Sequence, residues 1–195
     1  MTVQTFIFFG IVGSGKGTQA KLLKEYLEKK SGLLCVATST GDEYRKLVES
    51  GGYTGEIVRD TLTRGHLQPN FLTNALFTNI LISALTPERH LIADGYPRTV
   101  NQSETFEQMM KFYGRSDVKV VFIELSEDEA VKRNLKRGRH DDTAEGLRKR
   151  FEEYKQNVIP AMNYFKGREG YEIYKVNGEQ SIEGVHKEII EALRF

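Results

Sequence analysis

Near the amino terminus, Gly10-Ile11-Val12-Gly13-Ser14-Gly15-Lys16-Gly17-Thr18 carries the pattern G-x-x-x-x-G-K. That composition suits one task. A polyphosphate is held by backbone N–H groups, so side chains must be absent where the chain wraps it. A following helix N-terminus adds positive potential. Lys16 adds a point charge that can follow β- and γ-phosphates. Gly17 stands where Ser or Thr is usual, and Thr18 follows, which makes Thr18 a candidate α-phosphate contact. The alternative is a glycine-rich turn with an exposed lysine.

Three further groups bear on the same chemistry. Asp94 closes the apolar run His90-Leu91-Ile92-Ala93. It is either a turn aspartate or a carboxylate that orients a divalent cation through water. Arg133 and Arg137 are four residues apart, so they share one helix face. Alone, such a like-charge pair costs a few tenths of a kcal/mol, which Glu129 can partly offset. A solvated face explains the pair; an anion bound across both arginines explains it better. His66 and His140 have no cysteine or second histidine at metal-ligand spacing and read as structural.

These residues need a frame. Thr5 to Phe9 is an apolar run ending at Gly10 and reads as a buried parallel strand. Thr18 to Lys30 shows helical spacing, with Ala20, Leu23, Tyr26 and Leu27 on one side. Leu33–Ala37, His90–Ala93, Val118–Ile123 and Tyr171–Val176 read as four more strands. Helices are expected over Asn101–Phe112, from Ser126 as N-cap, over Thr143 to about Phe165, and over Ser181–Leu193. Alternating strands and helices imply an α/β fold, a five-stranded parallel sheet with helices on both faces. The strand-free stretches 38–70 and 137–142 read as insertions on a single domain spanning 1–195.

The bulk numbers exclude several classes. With 28 basic and 27 acidic residues the net charge is +1, without the basic excess of a nucleic-acid binder. No apolar run reaches transmembrane length, and Met1-Thr2-Val3-Gln4 lacks the basic region of a secretory signal. The single cysteine, Cys35, reads as a small buried hydrophobe in a strand and suits a reducing compartment. A soluble cytoplasmic protein with no membrane partner is expected.

Further motifs, in order along the chain, resemble the adenylate kinase family. Ser39-Thr40-Gly41-Asp42 with Arg45 looks like the opening of its helical monophosphate-binding insertion, and Gly65-His66-Leu67-Gln68-Pro69 like its close. Asp94-Gly95-Tyr96-Pro97-Arg98-Thr99 with Gln102 resembles the signature D-G-[FY]-P-R. Arg133, Arg137, Gly138-Arg139-His140-Asp141-Asp142 and Arg150 resemble hinge and lid arginines. Two departures stand out: Val12 replaces a proline usual in the cradle, and the lid is very short, with no room for a zinc site. Asp141 and Asp142 are equally readable as lid-closing or helix N-terminal charges.

The resemblance implies a P-loop NTPase-type core acting on ATP and AMP with Mg²⁺, as a monomer. Gly13, Ser14, Gly15, Lys16, Gly17, Thr18, Arg133 and Arg137 would bind ATP. Thr40, Gly41, Arg45, Gln68, Gly95, Arg98 and Gln102 would bind AMP. Lys16, Arg98, Arg137, Arg139 and Arg150 would act on the transferred group, with Asp94 orienting Mg²⁺ through water. Thr40 and Gln102 would read the acceptor base, which separates AMP from the alternative acceptors UMP and CMP. A P-loop protein that binds nucleotide without transfer is the remaining alternative.

Overall fold

The computed structural model describes residues 2–137 and 143–195. Five parallel strands, β1 (Thr5–Gly10), β2 (Cys35–Ser39), β3 (His90–Asp94), β4 (Val118–Glu124) and β5 (Tyr171–Asn177), form one sheet in the order β2-β3-β1-β4-β5. The expected five-stranded parallel sheet with helices on both faces is what the chain forms. Strand β1 is central: Thr5 aligns with Leu91 on one side and Val118 on the other. Its side chains alternate between two cores, as the twofold repeat of a strand requires. Ile7 and Phe9 join Phe77, Tyr96, Phe106 and Phe165 on one face. Phe6 and Phe8 join Leu23, Leu27, Val185 and Ile189 on the other. Both faces are covered, which is why the strand reads as an unbroken apolar run. Each buried phenylalanine contributes roughly 1.5–3 kcal/mol, so Phe8→Ala is expected to cost about 3–5 kcal/mol.

Helix α1 (Lys16–Ser31) follows β1, and α2 (Thr40–Glu49), α3 (Gly52–Thr63) and α4 (Asn70–Ala84) lie between β2 and β3. Next come α5 (Val100–Phe112) and α6 (Glu127–Arg137). The carboxyl-terminal part holds α7 (Ala144–Glu153), α8 (Ile159–Asn163) and α9 (Ile182–Ala192). Hydroxyl N-caps set several starts: Ser39, Thr99, Thr143 and Ser181 each accept an N–H from the first turn. Among the described residues, no helix is long and apolar enough to cross a membrane.

Two boundaries differ from expectation. Strand β2 starts at Cys35, and Leu34 is 60 % exposed, because Leu33-Leu34 lie in the irregular connection after Gly32. Cys35 is buried in the strand as expected. The single helix read over 143 to 165 is interrupted by a π-helical turn, Tyr154–Val158, just before Pro160, whose missing N–H disturbs the regular ladder.

Candidate active site

The carboxyl ends of β1, β2 and β3 open into one cleft of about 910 Å³. Strand order reverses on either side of β1, the position where open parallel sheets bind ligands. The loop Gly10–Gly15 turns out of β1 into α1, whose N-cap is Gly15. Lys16 folds back over this loop, its Nζ donating to the Gly10 carbonyl at 2.7 Å and the Ile11 carbonyl at 2.9 Å. Burial brings the Lys16 ammonium down to about 8; Asp94 opposes that shift, and Arg98 and Arg137 add to it.

The opposite wall is built from the D-G-Y-P-R segment and α2. Tyr96 is fully buried, stacked on Phe77 at 4.1 Å, with its hydroxyl donating to Asn74 Oδ1 at 2.9 Å. This anchor leaves Asp94, Gly95, Pro97 and Arg98 to line the cleft. Asp94 Oδ2 stands 3.3 Å from where a Cβ on Gly17 would lie, so the carboxylate is beside the cradle. Arg98 is held low mainly by burial, and it senses Asp94, Arg150 and Arg45. Arg45 pairs with Asp42 one turn back on α2. Tyr44, buried on the same helix, donates to the Thr73 hydroxyl at 2.5 Å, since Thr73 itself donates to the Pro69 carbonyl.

The third wall is α6 and α7. Arg133 Nε donates to Glu129 Oε1 at 2.9 Å, the offset anticipated from spacing. Arg137 Nη2 donates to Asn134 Oδ1 at 2.7 Å. Arg150 Nη2 reaches the Leu62 carbonyl of α3 at 3.5 Å. Beside it, Gly65 (φ +78°) lies against α7 so closely that a Cβ there would sit 2.3 Å from the Gly146 carbonyl oxygen. His66 Nδ1 lies 3.6 Å from Glu153 Oε1 across the same seam.

The cleft therefore gathers Gly13, Gly15, Lys16, Gly17, Thr18, Gly41, Arg45, Asp94, Gly95, Arg98, Arg133, Arg137 and Arg150. Ser14, Thr40, Gln68 and Gln102 are buried behind its lining. Gln102 Oε1 accepts from the Arg98 backbone N–H at 2.8 Å, and Nε2 donates to Asn70 Oδ1 at 2.9 Å. An amide carries two N–H groups and two acceptor lone pairs at its oxygen, so Gln102 keeps one hydrogen and one lone pair in reserve. The Thr40 hydroxyl donates to the Gly95 carbonyl at 2.7 Å and can still accept. Gln68 Oε1 accepts from Thr61 at 2.9 Å, and its Nε2 is buried without a partner among the described residues. Arg139, with Gly138, His140, Asp141 and Asp142, lies outside the described residues.

His66, read as structural at the close of the insertion, borders the cleft. Two participants escaped the sequence reading. Asn70 braces Gln102 and Thr99. Asn134 looks like any helix asparagine until its partners are seen. Among the described residues, no group of three or more His, Cys, Asp and Glu is placed to hold a metal ion.

The family model described as "Adenylate kinase" matches residues 8–170. The chain is 32 % identical to the adenylate kinase of Thermosipho melanesiensis, covering 96 % of this chain and 98 % of that one. It is 34 % identical to adenylate kinase 1 of Nostoc sp., over 94 % and 95 % of the two chains. It is 37 % identical to the adenylate kinase of Thermus thermophilus, over 85 % and 84 %. A match of this length, carried on a sheet whose phosphate loop and D-G-Y-P-R segment face one cleft, places the chain in the adenylate kinase family.

Proposed function

We propose that this chain, a nucleoside monophosphate kinase, moves the γ-phosphoryl group of ATP onto AMP, giving two ADP. The observation that carries the reading is convergence: Lys16, Arg98, Arg137 and Arg150 border one cleft, where Lys16 senses the charges of Arg98 and Arg137, and Arg98 senses that of Arg150. Such a cluster repels itself. ATP and AMP together bring roughly six negative charges at neutral pH, which offsets that repulsion.

The roles follow from placement. Backbone at Gly13, Ser14, Gly15 and Gly17, with the Thr18 hydroxyl, cradles the ATP phosphates, and Lys16 follows the β- and γ-groups. Arg133 holds the nucleotide's α-phosphate side. Arg45 and Arg98, beside Gly41 and Gly95, clamp the AMP phosphate as rigid forks. Arg137 and Arg150 meet the group in flight, and the resemblance gives the same task to Arg139, which lies outside the described residues. An AMP phosphate oxygen attacks the γ-phosphorus, the bond to the β-phosphate oxygen breaks, and ADP leaves. The attacking oxygen is already ionised, so no general base is required; alignment and charge stabilisation are the catalysis. Magnesium fits here, because Asp94 and Thr18 offer hard oxygens beside the cradle. When bound, it would neutralise charge on the phosphates.

Residues 38–70 act as a moving part of the single domain, excluding water on closure, while the lid read at 137–142 lies, from residue 138 on, outside the described residues. The contacts of Gly65 and His66 with α7 support this. The family resemblance points to a monomer, and the free thiol of Cys35 suits the cytoplasm. A coupled assay of ADP formation with ATP plus AMP, UMP or CMP tests the reading. Preference for AMP is expected. No ADP with any acceptor would overturn the transfer, and equal use of CMP would overturn the acceptor.

A further inference from the structure

Helix α6 holds a residue that the reaction as described leaves unused. Asn134 is 0 % exposed, in a helix otherwise rich in charge. A buried amide is costly unless its polar atoms are paired. Those of Asn134 are paired in three directions. Nδ2 donates to the Val12 carbonyl at 3.0 Å and to the Ala130 carbonyl at 2.7 Å. Oδ1 accepts from Arg137 Nη2 at 2.7 Å. Two carbonyls on one side and a guanidinium on the other admit one amide orientation only.

The fit extends to the cradle. Gly13 has φ +88°, and a Cβ there would lie 2.5 Å from Asn134 Nδ2. The Val12 carbonyl and the Gly13 N–H share one trans peptide, so they point in opposite directions. Drawing the carbonyl toward Asn134 therefore turns the Gly13 N–H away from it, on a residue that lines the cleft. At the other end of the same amide, Arg137 loses rotational freedom it would otherwise have to surrender during the reaction.

We propose that Asn134 is a positioning residue for phosphoryl transfer, tying the backbone of the phosphate cradle at Val12 to the guanidinium of Arg137. One side chain thus holds the donor phosphates and the cation that meets the transferred group in a common register. The inference rests on the role given to Arg137 above. A leucine at this position would fill a similar volume and keep the helix, but make none of the three bonds.

The test compares Asn134→Leu, Arg137→Ala and the double variant by steady-state kinetics, ATP affinity by calorimetry and thermal melting. Asn134→Leu is expected to lower kcat on the order of 10- to 100-fold. It should weaken ATP binding about fivefold to tenfold and leave the KM for AMP unchanged. In the Arg137→Ala background the same substitution should change kcat only a few-fold, because the guanidinium it positions is gone. Multiplying effects, or a normal kcat in Asn134→Leu, would overturn the proposal. Near-normal turnover in Arg137→Ala alone would instead overturn the role of Arg137. Asn134→Asp keeps the acceptor toward Arg137 and loses the donors toward Val12. It should bind ATP as weakly as the leucine variant while retaining more turnover, and it serves if the leucine variant does not fold. Unchanged ATP affinity in Asn134→Asp would overturn the tether to the cradle.

Discussion

Gly65 and Gly146 meet backbone to backbone, joining the loop after α3 to the first turn of α7 with no side chain between them. Gly65→Ala adds a methyl that collides with the Gly146 carbonyl when the two parts touch. It also places alanine in the left-handed region, at a cost of about 1–2 kcal/mol. Separation of the two parts relieves the collision but not the strain. The variant should therefore melt only a few degrees lower, yet show a raised KM for AMP and more ATP hydrolysis without AMP. Unchanged kinetics in a folded variant would count against closure along this seam.

Lys16 and Arg98 stand at the centre of the converging charge. Lys16→Met or Arg98→Ala should lower turnover on the order of 10³-fold or more, several kcal/mol of transition-state stabilisation. Melting temperatures near that of the parent would show that the loss is chemical. A folded variant with near-normal turnover would remove that residue from the site.

The lowered Lys16 makes ATP binding proton-linked. In the free protein the ammonium loses its proton around pH 8. Bound phosphates favour the charged form and raise that value. Titrating ATP near pH 8 should therefore draw protons from solution, and affinity should fall as pH rises beyond 8. Calorimetry in buffers of different ionisation enthalpy reads this directly. No proton uptake, or the same uptake in Lys16→Met, would contradict it.

Stability should decline in mild acid through two histidines. His90 is fully buried; Nδ1 accepts from the Gln4 N–H at 2.9 Å, so Nε2–H faces the Ser31 hydroxyl at 2.9 Å. Burial, then nearby Arg115, holds it below its ordinary 6.5, and burial does the same for His186. The unfolded chain therefore binds more protons than the folded one just below pH 6.5. The stabilisation is complete above 6.5 and is lost as pH falls through the folded-state values. Urea titrations at pH 7.5 and pH 5.5 should show this, with a smaller difference in His90→Gln. An equal difference in that variant would exclude His90 as a source.

The acceptor base is the subject of the last test. Gln102 holds an N–H and a lone pair in reserve, which matches the paired donor and acceptor of adenine. A pyrimidine would leave such groups poorly paired, at roughly 1–3 kcal/mol each. AMP should be preferred over CMP and UMP by at least about tenfold in kcat/KM. Gln102→Asn with Thr40→Ala should narrow that ratio. A ratio unmoved by both changes would place base selection elsewhere, with Gln68 the next residue to vary.

The sheet and the cradle were legible because their signals are local. An apolar run against Gly10, the glycine spacing and Lys16 all lie within a dozen or so residues, and the same holds for Asp94 through Arg98. The hydroxyl cap read at Ser126, whose Oγ accepts from the Glu129 N–H at 3.4 Å, marked a helix start for the same reason. What stayed hidden depends on partners distant in sequence. Asn134 acts through Val12, 122 positions away. Gln102 was anticipated to face a base, but its links to Asn70 and the Arg98 backbone are visible only in three dimensions. Apolarity also misled: Leu33-Leu34 read as strand, yet both precede β2 and Leu34 is exposed.

The central place of β1 has a consequence for how the chain is made. Strand β1 ends at residue 10, while its neighbours end at residues 94 and 124. A ribosome adding 5–20 residues per second therefore leaves Phe6, Phe8 and Phe9 without a strand on either side for roughly 4–17 s, and without the second for roughly 6–23 s. A strand buried at every position is thus also the longest waiting, which makes the nascent chain a natural client for whatever shields apolar segments during translation. Chains stalled near residue 110 should be cut readily within 5–10 by a probing protease, and chains released whole should not.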